Sequence, residues 1–145
     1  MDTGIINSFL VSIVEKRMEL GRLAYNDLHY DELEEELHAL EDDFTAKFGS
    51  DLEQTFQRIH LEYCPNTEVN SPIAYLPKQY IKPARYENGT SVYEAADNRQ
   101  GLVIDSQVFT DARLVLLPNP VRLELSTGLD TKKEVVWRLD ALTSP

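Results

Sequence analysis

Few residues in this 145-residue chain combine the types and spacings that chemistry needs. Glu35 and His38 stand three apart, the interval at which a helix directs a carboxylate and an imidazole toward one metal ion. The apolar residues around them argue otherwise. With Leu33, Leu37, Leu40 and Phe44 turned inward, His38 falls about 120° from the core side and Glu35 nearly opposite it, so both are expected in water. A second Glu-x-x-His is missing, as is an Asp-x-Asp-x-Asp-Gly loop, so neither metal nor another cofactor is expected. His60 and Cys64, four apart, have the reach of a base and a nucleophile. A catalytic thiol needs a nearby cation and access to substrate, and a lone cysteine closing an apolar helix face is expected to be packing material instead. His29 reads as a polar turn residue. No Gly-x-Ser-x-Gly elbow, Gly-x-Gly-x-x-Gly or Gly-x-x-x-x-Gly-Lys loop occurs, so no hydrolase or nucleotide motif assigns a catalytic residue.

Two stretches are better suited to binding. Residues 75–86 carry Tyr75, Lys78, Tyr80, Lys82, Arg85 and Tyr86 without an acid, aromatic rings alternating with cations as in grooves that stack single-stranded bases. Pro77 and Pro83 equally fit an extended edge whose tyrosines cover a sheet. The other stretch runs from Asp27 to Asp43 and holds nine acids with no Lys or Arg. Glu34, Glu35, Glu41, Asp42 and Asp43 are its candidates for contacting a basic partner. The whole chain has net charge −11, and residues 1–64 account for nearly all of it, with 15 acids against five Lys and Arg. Such a field repels phosphate backbones and anionic lipid heads, which disfavours duplex DNA and membrane surfaces.

Something must hold these residues in place, and the chain has the material. Its length predicts one domain, residues 1–145, and 42% apolar residues supply a core without help from metal or disulfide. Asp2 and the Glu15-Lys16-Arg17 run differ from a secretory signal, no apolar run is long enough to span a bilayer, and the one cysteine cannot form an intrachain bridge. A cytoplasmic location is expected.

The organisation predicted is a helical half (1–64), a connector (65–79) and a mainly β half (80–142). Ile5, Ile6, Phe9, Leu10, Ile13 and Val14 make the first helix apolar over most of its circumference. It therefore needs cover on several sides, from its own domain or from a second copy meeting residues 5–14. Asp31 with Glu34, and Ser50 with Glu53, resemble capping boxes, and Gly49 suits a stop between two helices. The stripe Leu33, Leu37, Leu40, Phe44, Phe48 stays nearly in phase with Leu52, Phe56, Ile59, Tyr63, so a single helix through Gly49 competes. Pro65, Pro72 and Pro77 mark the connector. Asn88-Gly89 can close a hairpin between 80–87 and 90–96, with a short helix capped by Ser91 and Glu94 as the alternative. Residues 102–105, 113–117, 121–126 and 134–139 alternate as strands. In 121–126, Val121, Leu123 and Leu125 are expected in the core and Arg122, Glu124 and Ser126 in water.

The fold expected is α+β: two or three N-terminal helices packed on one face of a C-terminal antiparallel β-meander. The function expected is a non-enzymatic protein-interaction domain whose acidic helical face meets a basic partner, self-association through residues 5–14 being compatible with it. Two rivals remain. One is a small-molecule binder or enzyme with a pocket between helices and sheet that uses Tyr80, Arg85, Tyr93 or Trp137. The other binds single-stranded nucleic acid or another anion through residues 75–86, with Lys78, Lys82 and Arg85 as its cations.

Overall fold

The structure is a computed structural model. It describes residues 3–87, 90–96, 100–106, 111–127 and 132–139, and for 80–91 and 132 the backbone alone.

Two helices come first: α1 (Thr3–Arg22) and α2 (Tyr30–Tyr63). Helix α2 runs through Gly49 without a break, which settles the choice between one helix and two. A mid-helix glycine costs about 1 kcal/mol. Here the stripe Phe44, Leu52, Phe56, Ile59 buries on both sides of it, and that burial outweighs the penalty. Neither expected capping box forms. The helix begins at Tyr30 after His29, with no side-chain cap, and Asp31 and Glu32 lie inside its first turn, where carboxylates favour the positive end of the helix dipole. At the far end the Cys64 N–H donates to the His60 carbonyl, and the chain leaves the helix before Pro65.

A connector containing a short 3-10 turn (Pro72–Tyr75) leads to six strands: β1 (Tyr80–Glu87), β2 (Thr90–Ala95), β3 (Leu102–Val103), β4 (Ala112–Leu117), β5 (Arg122–Thr127) and β6 (Lys132–Arg138). Strands β1 and β2 pair antiparallel, which favours the hairpin over the short helix; the Asn88-Gly89 link itself lies outside the described residues. Their register slips between Ile81 and Arg85, the stretch that holds Pro83, which has no N–H to give the ladder. The other four make an antiparallel meander in the order β3-β4-β5-β6. Gly101, entering β3 at φ +97, has the Leu114 carbonyl where a Cβ would stand, so only glycine fits there without strain.

One sheet face receives the helices. Leu114, Leu116, Leu123 and Leu125 join Ile6, Leu10, Ile13, Phe44, Leu52 and Phe56 in one buried cluster. The opposite face, expected wet, is buried along β4 and β5, because the β1–β2 hairpin folds over it: Tyr93 and Ala95 of β2 pack on Val115 and Leu117 of β4 and on Val14 of α1, while Val103 of β3 and Val135 of β6 on the same face stay exposed. Arg122, Glu124 and Ser126 therefore lie inside. Arg122 is satisfied there. Its Nε donates to Glu124 Oε2 at 2.8 Å and its terminal nitrogens to the carbonyls of Pro118, Pro120 and Tyr93 at 3.2, 3.0 and 2.7 Å. The alternation of β5 correctly separates two faces, and the hairpin then covers the polar one.

This third layer also answers what covers α1. Ile6, Leu10, Ile13 and Val14 are fully buried within the chain, between α2, the sheet and the hairpin, and of the strip only Ile5 remains well exposed among its large side chains. The apolar strip 5–14 thus finds its cover without a second copy. Asn7 ties the helix down further, accepting from the Asn119 N–H at 2.8 Å and donating to the Asn119 side chain at 3.1 Å in the β4–β5 turn.

Candidate functional site

The His60–Cys64 pair is a structural node. The Thr67 carbonyl, 2.8 Å from His60 Nδ1, can only accept, so Nδ1 carries the proton and Nε2 accepts from the Tyr75 hydroxyl at 2.8 Å. That hydroxyl in turn accepts the Asn70 N–H at 3.1 Å. Both imidazole nitrogens are occupied, and burial pushes the Cys64 thiol above its ordinary pKa, away from the thiolate that nucleophilic chemistry requires. Burial likewise pushes the Tyr75 phenol up to about 12. The node fastens the end of α2 to the connector.

Among the described residues no group of three or more His, Cys, Asp and Glu is arranged to hold a metal. Glu35 and His38 are both exposed, as their helical angles require. No described helix is long and apolar enough to cross a membrane.

Of the residues considered for a ligand pocket, Tyr93 and Trp137 belong to opposite faces of the sheet. Tyr93, on β2 of the hairpin, is buried against β4 with its hydroxyl donating to Glu15 at 2.6 Å, while Trp137 stands edge-on to Phe56 at 5.7 Å in the helix-side core. They share no pocket. The side chains of Tyr80, Lys82 and Arg85 lie outside the described residues. Tyr75, first of the aromatic and cationic run, points into the core instead of lining a groove. Lys78 does line one: a cleft of about 460 Å³ between α1, α2 and the connector, with Leu20, Tyr30 and Leu37 as its apolar wall and Arg17, His38 and Glu41 as its polar one. Arg17 is already engaged, donating to the Pro77 carbonyl at 3.0 Å and to both Glu41 oxygens at 3.4 Å. It clamps three segments together. The pairing of Arg17 with Glu41, which sits beside Leu37 and Phe44, needs α1 and α2 side by side, so no local signal marks it.

The acidic stretch separates into two populations. Glu41 turns toward α1 and pairs with Arg17, Glu36 pairs with Lys16 at 3.1 Å, and Asp43 pairs with Lys47 one turn along at 3.3 Å. Glu34 is half-buried on the flank of the core stripe. Asp31, Glu35 and Asp42 are different: intervals of four and seven place them on one outer strip of α2, all are exposed, and none makes an ion pair among the described residues. Two of the five residues singled out from the sequence, Glu35 and Asp42, are on this strip. Asp31, which sequence reasoning used as a helix cap, completes it.

A feature that the sequence reading passed over lies just before the N-terminal end of α2, where Tyr25 rests on Tyr30. Tyr25 and Leu28, in the loop between the helices, are 86% and 95% exposed, the most exposed of the large apolar side chains described. Their only signal is position: they flank a polar turn, Asn26-Asp27, between the two helices.

No family model, curated protein or solved structure matches the chain.

Proposed function

We propose that the chain is a non-enzymatic protein-interaction domain that receives a basic partner on the outer face of α2. The observation that carries this reading is the strip Asp31, Glu35, Asp42, three exposed carboxylates in line on one helix, beside acids that already have ion-pair partners in Lys16, Arg17 and Lys47. Carboxylates so placed steer a cationic surface and set its register, and they contribute more to the rate and selectivity of encounter than to raw affinity. A free, buried Cys64 suits a reducing compartment such as the cytoplasm.

The test is binding of fluorescent hexalysine to the intact chain. Affinity is expected to fall as salt rises from about 50 to 300 mM, because counterions screen the charges within about a Debye length. It is expected to fall again in the triple variant Asp31→Asn, Glu35→Gln, Asp42→Asn. A triple variant that melts like the native chain and still binds hexalysine equally well would end the proposal.

A second reading has one observation in its favour, the cleft at Lys78. A small ligand seated there against Leu20, Tyr30 and Leu37 would raise the melting temperature, by about 2.7 kcal/mol of stability at a hundred times its dissociation constant. Lys78→Ala should reduce that shift.

A further inference from the structure

The loop that displays Tyr25 and Leu28 is built firmly. The Asp27 N–H donates to the Ala24 carbonyl at 2.9 Å, the Tyr30 N–H donates to the Asp27 carbonyl at 3.1 Å, and Asp27 Oδ1 accepts the His29 N–H at 2.8 Å. Tyr25 also rests on Tyr30, their ring centroids 5.2 Å apart. Two large apolar side chains are thus held out in water by a hydrogen-bonded backbone, so little backbone conformational entropy remains to be lost when something covers them.

The surroundings specify the chemistry of the cover. Asp27, Asp31 and Glu32 are exposed beside the tip, and Glu35 and Asp42 continue the negative charge along α2; the nearby cations are Arg22, the last residue of α1, and Lys78 with the Glu41-paired Arg17 in the cleft that Tyr30 walls. A second copy of the chain would bring the same carboxylates against themselves, which opposes self-pairing through this surface. A basic partner meets both features at once.

We infer that Tyr25 and Leu28 form, with the Asp31, Glu35, Asp42 strip, one bipartite docking surface for a segment of a partner protein that carries an apolar cluster at one end and a run of lysines or arginines beyond it. This inference rests on the interaction reading above and adds the anchor. From Asp31 to Asp42 the helix rises about 16 Å, a distance that roughly five residues of extended chain span. The apolar cluster covers Tyr25 and Leu28 while the basic run lies along the strip. The carboxylates attract; the apolar contact holds, since anchors of this kind dominate the energy of an interface while its charged surroundings contribute little each.

Two labelled peptides test this with the full chain: three leucines joined to five lysines, and three serines joined to five lysines, each made with the lysines at either end. The leucine peptide is expected to bind at least about tenfold more tightly than the serine peptide in one of its two orders, the factor that burying a leucine side chain supplies. In the double variant Tyr25→Ser, Leu28→Ser that preference disappears while the serine peptide binds as before. Both side chains are exposed, so the variant should melt with the native chain, and an unchanged melting curve is part of the expected result. Equal binding of the two peptides to the native chain, or a preference that survives in the double variant, overturns the inference. So does sedimentation showing that the native chain dimerises and the double variant does not, because the tip is then occupied by a second copy. If both peptides bind equally and both weaken in the Asp31→Asn, Glu35→Gln, Asp42→Asn variant, the acidic face stands and the anchor fails; if neither binds, the interaction reading fails with it.

Discussion

At the scale of single residues, the buried Tyr75 hydroxyl ties the stability of the fold to pH. Tyr75 donates to His60 and accepts from Asn70, and its phenol holds its proton to about pH 12 in the folded chain. An unfolded tyrosine loses its proton near pH 10. Below pH 10 both states are protonated and the stability that Tyr75 contributes is intact. Between 10 and 12 the unfolded state releases a proton that the native state keeps, so stability should fall by about 1.4 kcal/mol per pH unit across that window. Urea titrations from pH 9 to 11.5 should show this decline. In Tyr75→Phe, which should start about 1–3 kcal/mol lower because His60 Nε2 and the Asn70 N–H lose their partner, the decline should be shallower. Nothing in the sequence around Tyr75 separates it from Tyr80 or Tyr86; a run of tyrosines and cations reads the same whether its rings line a groove or enter a core. The buried position of Tyr75 depends on where the end of α2 delivers His60.

Helix α2 is the element that joins the others. Its 34 residues carry Phe44 toward Phe9 of α1, Phe56 toward both Tyr75 of the connector and Trp137 of β6, and an outer strip of acids toward solvent. Phe56 is fully buried among partners from two other segments, so Phe56→Ala should cost about 3–5 kcal/mol. Because the same side chain touches helix, connector and sheet, helical circular dichroism and the fluorescence of the single Trp137 should be lost in one coincident urea transition in this variant. Separate midpoints for the two signals would show that helices and sheet unfold independently. The apolar periodicity of α2 was legible from the sequence, residue by residue, and so was its orientation, since Leu33, Leu37 and Phe44 are buried and Glu35 and His38 exposed. Its continuity was not. A glycine followed by Ser-x-x-Glu is a good local stop, and only the packing of Phe44 and Leu52 across that point overrides it.

For the molecule as a whole, the decisive feature is the layer that the β1–β2 hairpin adds. It turns the polar face of β4 and β5 into an interior, where the Arg122–Glu124 pair links β5 to the hairpin through the Tyr93 carbonyl and to the β4–β5 turn through those of Pro118 and Pro120. Removing one partner of such a pair leaves the other charge buried and alone. Arg122→Leu should therefore cost about 3–5 kcal/mol in chemical denaturation, and the double variant Arg122→Leu, Glu124→Leu should recover much of that loss. A single variant as stable as the native chain would mean that the hairpin closes over the sheet without this link.

The sequence by itself determined the α+β order, the approximate positions of the strands of the meander and the concentration of negative charge on one helix, because each of these follows from local period and composition. It also identified Glu35 and Asp42 as carboxylates facing water. Only the tertiary structure decided which acids are paired, that Arg17 takes Glu41 and Lys16 takes Glu36, that β4 and β5 are covered on both faces, and that Tyr25 and Leu28 are left in the open. Pairing, burial and exposure depend on distances between segments far apart in the chain, and a pattern of neighbours carries no information about those distances.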